Sequence, residues 1–134
     1  MEIRLATLRE ERALAALDKH VSAAVLREKI AAGQVLLLMD GGEIAGWLRW
    51  SLFWDEHPFL NLLYLLESHR KQGWGRALVQ AWESRMRQAG YTAVLTSTQA
   101  NECAQHFYRH LGYADIGAFA LPGDPLELLL HKAL

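Results

Sequence analysis

Glu67-Ser68-His69-Arg70-Lys71-Gln72-Gly73-Trp74-Gly75-Arg76-Ala77-Leu78 lies where an apolar segment, Phe59 to Leu66, gives way to helical spacing. From Gly73 to Ala89 the apolar residues Leu78, Ala81, Trp82, Met86 and Ala89 repeat on one stripe, and Gly90 stops the run. Gly73 and Gly75 allow a tight turn and let a ligand approach the backbone. The first turn of the helix leaves its N–H groups unpaired, and the helix dipole adds partial positive charge there. Backbone donors from Gln72 to Arg76, with Arg70, Lys71 and Arg76 beside them, predict an anion site suited to pyrophosphate. Two other phosphate loops are excluded by spacing. The P-loop pattern is absent, and Leu78 stands where a dinucleotide fingerprint needs a third small residue. The plain alternative is a helix start with two permissive glycines and a solvated basic turn.

Working outward, Glu2 to Ala6 predicts a short strand, and Thr7 with Glu10 has the spacing of a capping box. A first helix runs to about Asp18 with Leu14 and Leu17 inward. A second covers Ser22 to Ala32 with Val25, Leu26 and Ile30 inward, ending at Gly33. Gln34 to Met39 reads as a buried strand, and Asp40-Gly41-Gly42 as a hairpin turn. Glu43 to Trp54 alternates, with Ile44, Gly46, Leu48, Trp50, Leu52 and Trp54 on one face. Ala45, Trp47, Arg49, Ser51 and Phe53 take the other. Asp55-Glu56-His57-Pro58 breaks that strand before Phe59 to Leu66. Downstream, Ala93 to Thr98 is a strand and Asn101 to Leu111 a helix. Tyr113 to Leu121 and Leu126 to His131 are strands around Pro122-Gly123-Asp124-Pro125. The prediction is one α/β domain over residues 1–134, a mixed sheet of six to seven strands flanked by about four helices.

The balance of 14 Lys and Arg against 15 Asp and Glu gives a net charge of -1, which argues against a nucleic-acid surface. No apolar run approaches a bilayer span, and the charged Arg9-Glu10-Glu11-Arg12 follows the start closely, so no membrane or signal segment is expected. One cysteine, Cys103, excludes an intrachain disulfide and suits a reducing cytoplasm.

A second constellation lies about 30 residues downstream: Asn101-Glu102-Cys103-Ala104-Gln105-His106-Phe107-Tyr108-Arg109-His110-Leu111-Gly112-Tyr113. Together the two stretches resemble the GNAT superfamily of N-acyltransferases. Arg70, Gly73 and Gly75 match its Arg/Gln-x-x-Gly-x-Gly/Ala acyl-CoA loop. Asn101, Ala104, Phe107, Tyr108, Gly112 and Tyr113 match its Asn-x-x-Ala-x-x-Phe-Tyr-x-x-x-Gly-Phe/Tyr pattern. The resemblance implies a mostly antiparallel GNAT-type sheet in which the strand ending at Tyr64-Leu65-Leu66 splays from Ala93–Thr98. It implies acetyl-CoA as cosubstrate, its pantetheine arm pairing with the backbone near Leu65 and Leu66 and its pyrophosphate held by Arg70, Lys71, Gln72, Gly73, Trp74, Gly75 and Arg76. Asn101 would sit near the pantetheine or thiol end. Tyr108 would be the acid that protonates the departing thiolate; the alternative is a core aromatic on the stripe of Phe107, Tyr108 and Leu111.

The family's early-strand glutamate has no counterpart in Phe59-Leu60-Asn61. Asp55, Glu56 and His57 stand nearby as a candidate base or as a solvated turn, and a chain of waters is the remaining option. Cys103 with His106 lacks an oxyanion motif and reads as packing. The six histidines make no metal spacing beyond the non-diagnostic His106 and His110, so no metal is expected. Trp47, Trp50 and Trp54, with Phe53 and Phe59, either line an acceptor pocket or pack the sheet. The resemblance therefore implies direct acetyl transfer to an amine of a small molecule or a protein. The alternatives are an inactive CoA-binding sensor module and an interaction role, the latter compatible with a homodimer.

Overall fold

The computed structural model describes all 134 residues. Its elements are β1 (Glu2–Leu5), α1 (Glu11–Leu17), α2 (Ala23–Ala31), β2 (Val35–Asp40), β3 (Glu43–Phe53), β4 (His57–Leu65), α3 (Trp74–Gln88), β5 (Ala93–Gln99), α4 (Ala104–His110), β6 (Ala114–Phe119) and β7 (Glu127–Ala133). The strands form one seven-stranded mixed sheet in the order β1-β2-β3-β4-β5-β7-β6. Pairing is antiparallel at β1–β2, β2–β3, β5–β7 and β6–β7, and parallel at β4–β5. That parallel ladder pairs Phe59 with Leu95 and Leu60 with Thr96, while β4 itself continues to Leu65. No helix is long and apolar enough to cross a membrane. The chain divides into two units, Met1–Trp50 with Leu62–Trp82, and Ser51–Asn61 with Glu83–Leu134.

In the first unit the capping box forms as predicted. Thr7 accepts from the Arg9 amide, and Glu10 accepts from the Thr7 amide at 2.7 Å. It caps a single 3₁₀ turn, Leu8–Glu10, from which α1 follows. Ser22 caps α2 by accepting from the Val25 amide. Leu14, Leu26, Ile30, Val35, Leu37, Met39 and Trp47 form one core. Each such large side chain, once buried, contributes about 1.5–3 kcal/mol. Leu17 and Val25, expected inward, are 38% and 40% exposed, because the short helices turn only a narrow stripe to the core.

The expected alternation of β3 breaks at one place. Leu38 pairs with Gly46 and Met39 with Ile44, which leaves Ala45 as an extra residue. A bulge shifts the pleat by one. Ile44 and Trp47, assigned to opposite faces by strict alternation, consequently share the same core.

In the second unit the predicted loop Asp55-Glu56-His57-Pro58 is shorter than expected. The turn is Trp54–Glu56, and His57 already begins β4. Trp54 and Asp55 both have left-handed backbones, with φ of 56° and 61°, and the Glu56 amide donates to the Phe53 carbonyl at 3.1 Å. The left-handed pair at Trp54 and Asp55 gives the turn the hand that matches the twist of the strands it joins. α4 is also shorter than expected. Asn101 and Glu102 lie in a turn, where Gln105 Nε2 donates to the carbonyls of Ala100 and Glu102 and so holds the backbone outside the helix.

Candidate active site

The stretch between β4 and α3 makes a folded turn. Lys71 and Gly73 both have left-handed backbones, with φ of 59° and 88°. Alternating hands along a short segment aim successive amides into one concavity, a shape that receives anions. The first bond of the following helix runs from the Ala77 amide to the Gly73 carbonyl, at 3.1 Å. The amides upstream of Ala77 therefore occupy the first turn, which has no intrahelical acceptors. α3 is fifteen residues long, so its dipole adds to their charge. Lys71, Gln72, Gly73 and Arg76 are exposed, Trp74 is half-buried and Gly75 is buried. Space stands open around Gly73: a Cβ placed there meets no atom within 4 Å.

Arg70 points back to the strand. Its Nε donates to the Leu65 carbonyl at 2.9 Å, and its guanidinium lies 5.2 Å above the Tyr64 ring. Tyr64 in turn stacks on Trp47 at 4.9 Å between centroids. The indole N–H of Trp47 donates to Asp18 Oδ2 at 3.1 Å, and Arg49 Nε donates to the same oxygen at 2.6 Å. Asp18 and Arg49 are buried, so each needs the other. This chain of contacts ties the root of the turn to the end of α1. His69 adds a second tie, with Nε2 2.8 Å from Asp40 Oδ2 and Nδ1 2.8 Å from Ser68 Oγ.

Leu65 and Leu66 are half-buried at the end of β4. The Leu66 amide donates to the Ala45 carbonyl at 2.8 Å and is therefore engaged within the sheet. Gly46 explains how this strand end fits. A Cβ there would lie 2.8 Å from the Tyr64 carbonyl oxygen and 2.5 Å from Leu65 Cδ2. Only glycine lets β4 approach the bulge so closely. A lone glycine inside an alternating strand was the available signal, and motif reading passed over it.

The second unit holds Tyr108 and Asn101. Tyr108 is buried on α4, its ring 5.5 Å from that of Tyr113 in an edge-on arrangement. Burial pushes its phenol up to about 12, while a hydrogen bond with the Thr96 side chain pulls the other way. Thr96 Oγ1 itself donates to the Leu60 carbonyl, at 3.1 Å, where the parallel ladder lies. Thr96 was not singled out in advance, because nothing local distinguishes it. Two residues on, the Thr98 hydroxyl is buried with no hydrogen-bond partner. Asn101 is exposed in the turn before α4. Asn61 donates to Ser51 Oγ, and Glu56 and His57 form an exposed pair at 3.6 Å. Cys103 is exposed, and His110 Nδ1 faces the His106 carbonyl at 2.7 Å.

The sequence profile of the Acetyltransferase (GNAT) family matches residues 4–113. The chain belongs to that family. It is thereby an acyltransferase by membership, and its sheet order and four helices are those of the GNAT fold. Among curated proteins, none matches the sequence significantly. Solved GNAT structures match over the whole fold. Ard1 from Thermoplasma volcanium superposes with a TM-score of 0.84 at 16% identity, covering 99% of this chain and 97% of that one. Ribosomal-protein-alanine N-acetyltransferase from Brucella melitensis gives 0.82 at 20% identity, covering 100% of both. PaiA N-acetyltransferase from Thermoplasma acidophilum, in complex with coenzyme A, gives 0.79 at 15% identity and covers 99% and 98%.

Proposed function

We propose that this GNAT chain acts as one domain and transfers an acetyl group from acetyl-CoA to an amine of a small molecule or a protein. The observation that carries the reading is the turn at the mouth of α3, with its left-handed Lys71 and Gly73 and the open space before them. Amides from Gln72 to Arg76 receive the pyrophosphate, and the side chains of Lys71 and Arg76 offset its charge. Arg70 holds the end of β4 through Leu65, where the pantetheine arm would pair with backbone. Asn101 is assigned to the pantetheine arm or the thiol end.

When bound, the acetyl thioester supplies an acyl carbon: an amine nitrogen forms the new C–N bond, the C–S bond breaks, the nitrogen gives up a proton to solvent water and the sulfur gains one. Tyr108 is the proposed donor of that last proton. Its raised phenol is fully protonated at neutral pH. A positioned donor of this kind contributes about 10²–10⁴-fold.

The test is calorimetric titration with acetyl-CoA, followed by thiol release with an amine panel. Gly73→Glu places a carboxylate against the pyrophosphate and should abolish acetyl-CoA binding. Wild-type affinity in that variant would overturn the loop's assignment, and binding without thiol release from any amine would leave a sensor.

A further inference from the structure

In the second unit, β5 alternates cleanly. Val94, Thr96 and Thr98 are buried on the side of Tyr108, whereas Ala93, Leu95 and Ser97 are only half-buried on the other. Register carries that second face across the unit, because Leu95 pairs with Phe59 and with His131, and Leu129 pairs with Ser97 and Gly117. A cleft of about 730 Å³ lies there, with Phe53, Trp54, Phe59, Tyr91 and Phe119 among its walls. The size falls in the range of small-ligand sites.

The rings are organised. Phe53 and Phe59 stack at 5.8 Å and 28°, and Trp54 lies 4.9 Å from Phe53. Trp54 is 75% exposed and sits at a backbone position that ordinarily belongs to glycine or asparagine. A bulky residue held at positive φ is strained, and that strain is a cost to the fold. Exposure means that this ring returns little of that cost through burial in the fold. Glu56, two residues on, puts a carboxylate among the same walls; it is 74% exposed and only loosely paired, 3.6 Å from His57. Along β5 the cleft reaches Leu95 and the strand at Thr96, whose side chain lies on the opposite face with Tyr108. The other cleft, in the first unit, is walled by Arg4, Glu2 and Glu10, which already pair with one another.

Resting on the acetyltransferase reading, we infer that this cleft receives the acceptor, and that the acceptor is a small amine carried on a flat aromatic body. Stacked rings favour a flat apolar body over an aliphatic one of similar size. An incoming ammonium is matched by Glu56 at the rim and by the ring faces.

The experiment uses the full chain without acetyl-CoA, so that it reads amine binding whether or not transfer occurs. Calorimetric titration compares tryptamine and 2-phenylethylamine with n-butylamine. At least tenfold tighter binding of the aromatic pair is expected. Trp54→Gly removes the ring while giving the turn the residue it suits, so thermal stability should hold or rise while aromatic-amine affinity falls at least fivefold. Equal affinity for all three amines, or unchanged aromatic binding in Trp54→Gly, would overturn the assignment. So would a stable dimer in sedimentation that Ile116→Asp dissociates, since a second copy would then cover the face. Acetyl-CoA binding, measured separately on the same variants, tells failure of this cleft from failure of the transferase reading.

Discussion

Tyr108 and Tyr113 flank the corner between α4 and β6, both buried, their rings 5.5 Å apart at 69°. Their hydroxyls meet different neighbours. Tyr113 donates to Glu83 Oε2 at 2.7 Å, and Lys132 Nζ lies 3.0 Å from the other oxygen of that buried carboxylate. Burial first, then the hydrogen bond and charge of Glu83, drive the Tyr113 phenol far above its ordinary range. Tyr108 has no carboxylate among the causes of its shift, and burial raises it to about 12 against the pull of the Thr96 hydroxyl. Burying a phenol does not by itself make an acid catalyst. A proton held by a carboxylate is a structural pin, whereas one beside a neutral hydroxyl is still transferable.

The largest expected effect separates the pair directly. Tyr108→Phe should lower kcat by about 10²–10⁴-fold, with KM for acetyl-CoA nearly unchanged. It removes no charged partner, so chemical denaturation should show a loss within about 1 kcal/mol. Tyr113→Phe should do the reverse. It leaves one oxygen of buried Glu83 without its donor, which costs about 1–3 kcal/mol of stability, and turnover at temperatures well below unfolding should stay near wild type. Equal loss of turnover in both variants would erase the distinction.

Alkaline pH tests both phenols at once. A group whose folded pKa lies above its unfolded value stabilises the fold fully below the unfolded pKa and loses that contribution as pH rises through the folded one. For Tyr108 the window runs from about 10, the ordinary phenol value, to about 12. Stability followed by denaturant midpoint should fall across that window in the wild type and fall less in Tyr108→Phe. An identical slope would show that its phenol is solvated.

The turn at α3 was legible from sequence because its parts are contiguous: two glycines, three basic residues and a helix start within a dozen positions. Strand and helix order was legible for the same reason, each element carrying its own period. Thr96, Gly46 and Glu83 were not legible as site-shaping residues. Thr96 matters through Tyr108 twelve positions on, Gly46 through Leu65, and Glu83 through Tyr113 thirty away. The bulge at Ala45 was hidden too, because it preserves apolar composition while reversing which side each residue faces. The break at Asp55 was legible, but the left-handed backbone of Trp54 was not, since a bulky Trp does not advertise positive φ as Asn or Gly would.

The smallest expected effect probes the comparison without deleting either ring. Glu83→Gln keeps an acceptor for the Tyr113 hydroxyl and a polar contact for Lys132, which is partly exposed. It removes the negative charge that penalises a Tyr113 phenolate. Spectrophotometric titration should then show Tyr113 ionising nearer the ordinary phenol range, though not within it, because burial is the larger cause and persists. Tyr108 should stay at about 12, since the causes of its shift lie in burial and Thr96. The two signals are assigned by repeating the titration in Tyr108→Phe. Should both phenols move together, Glu83 would be acting on the pair, and the separation of a pinned proton from a transferable one would fail.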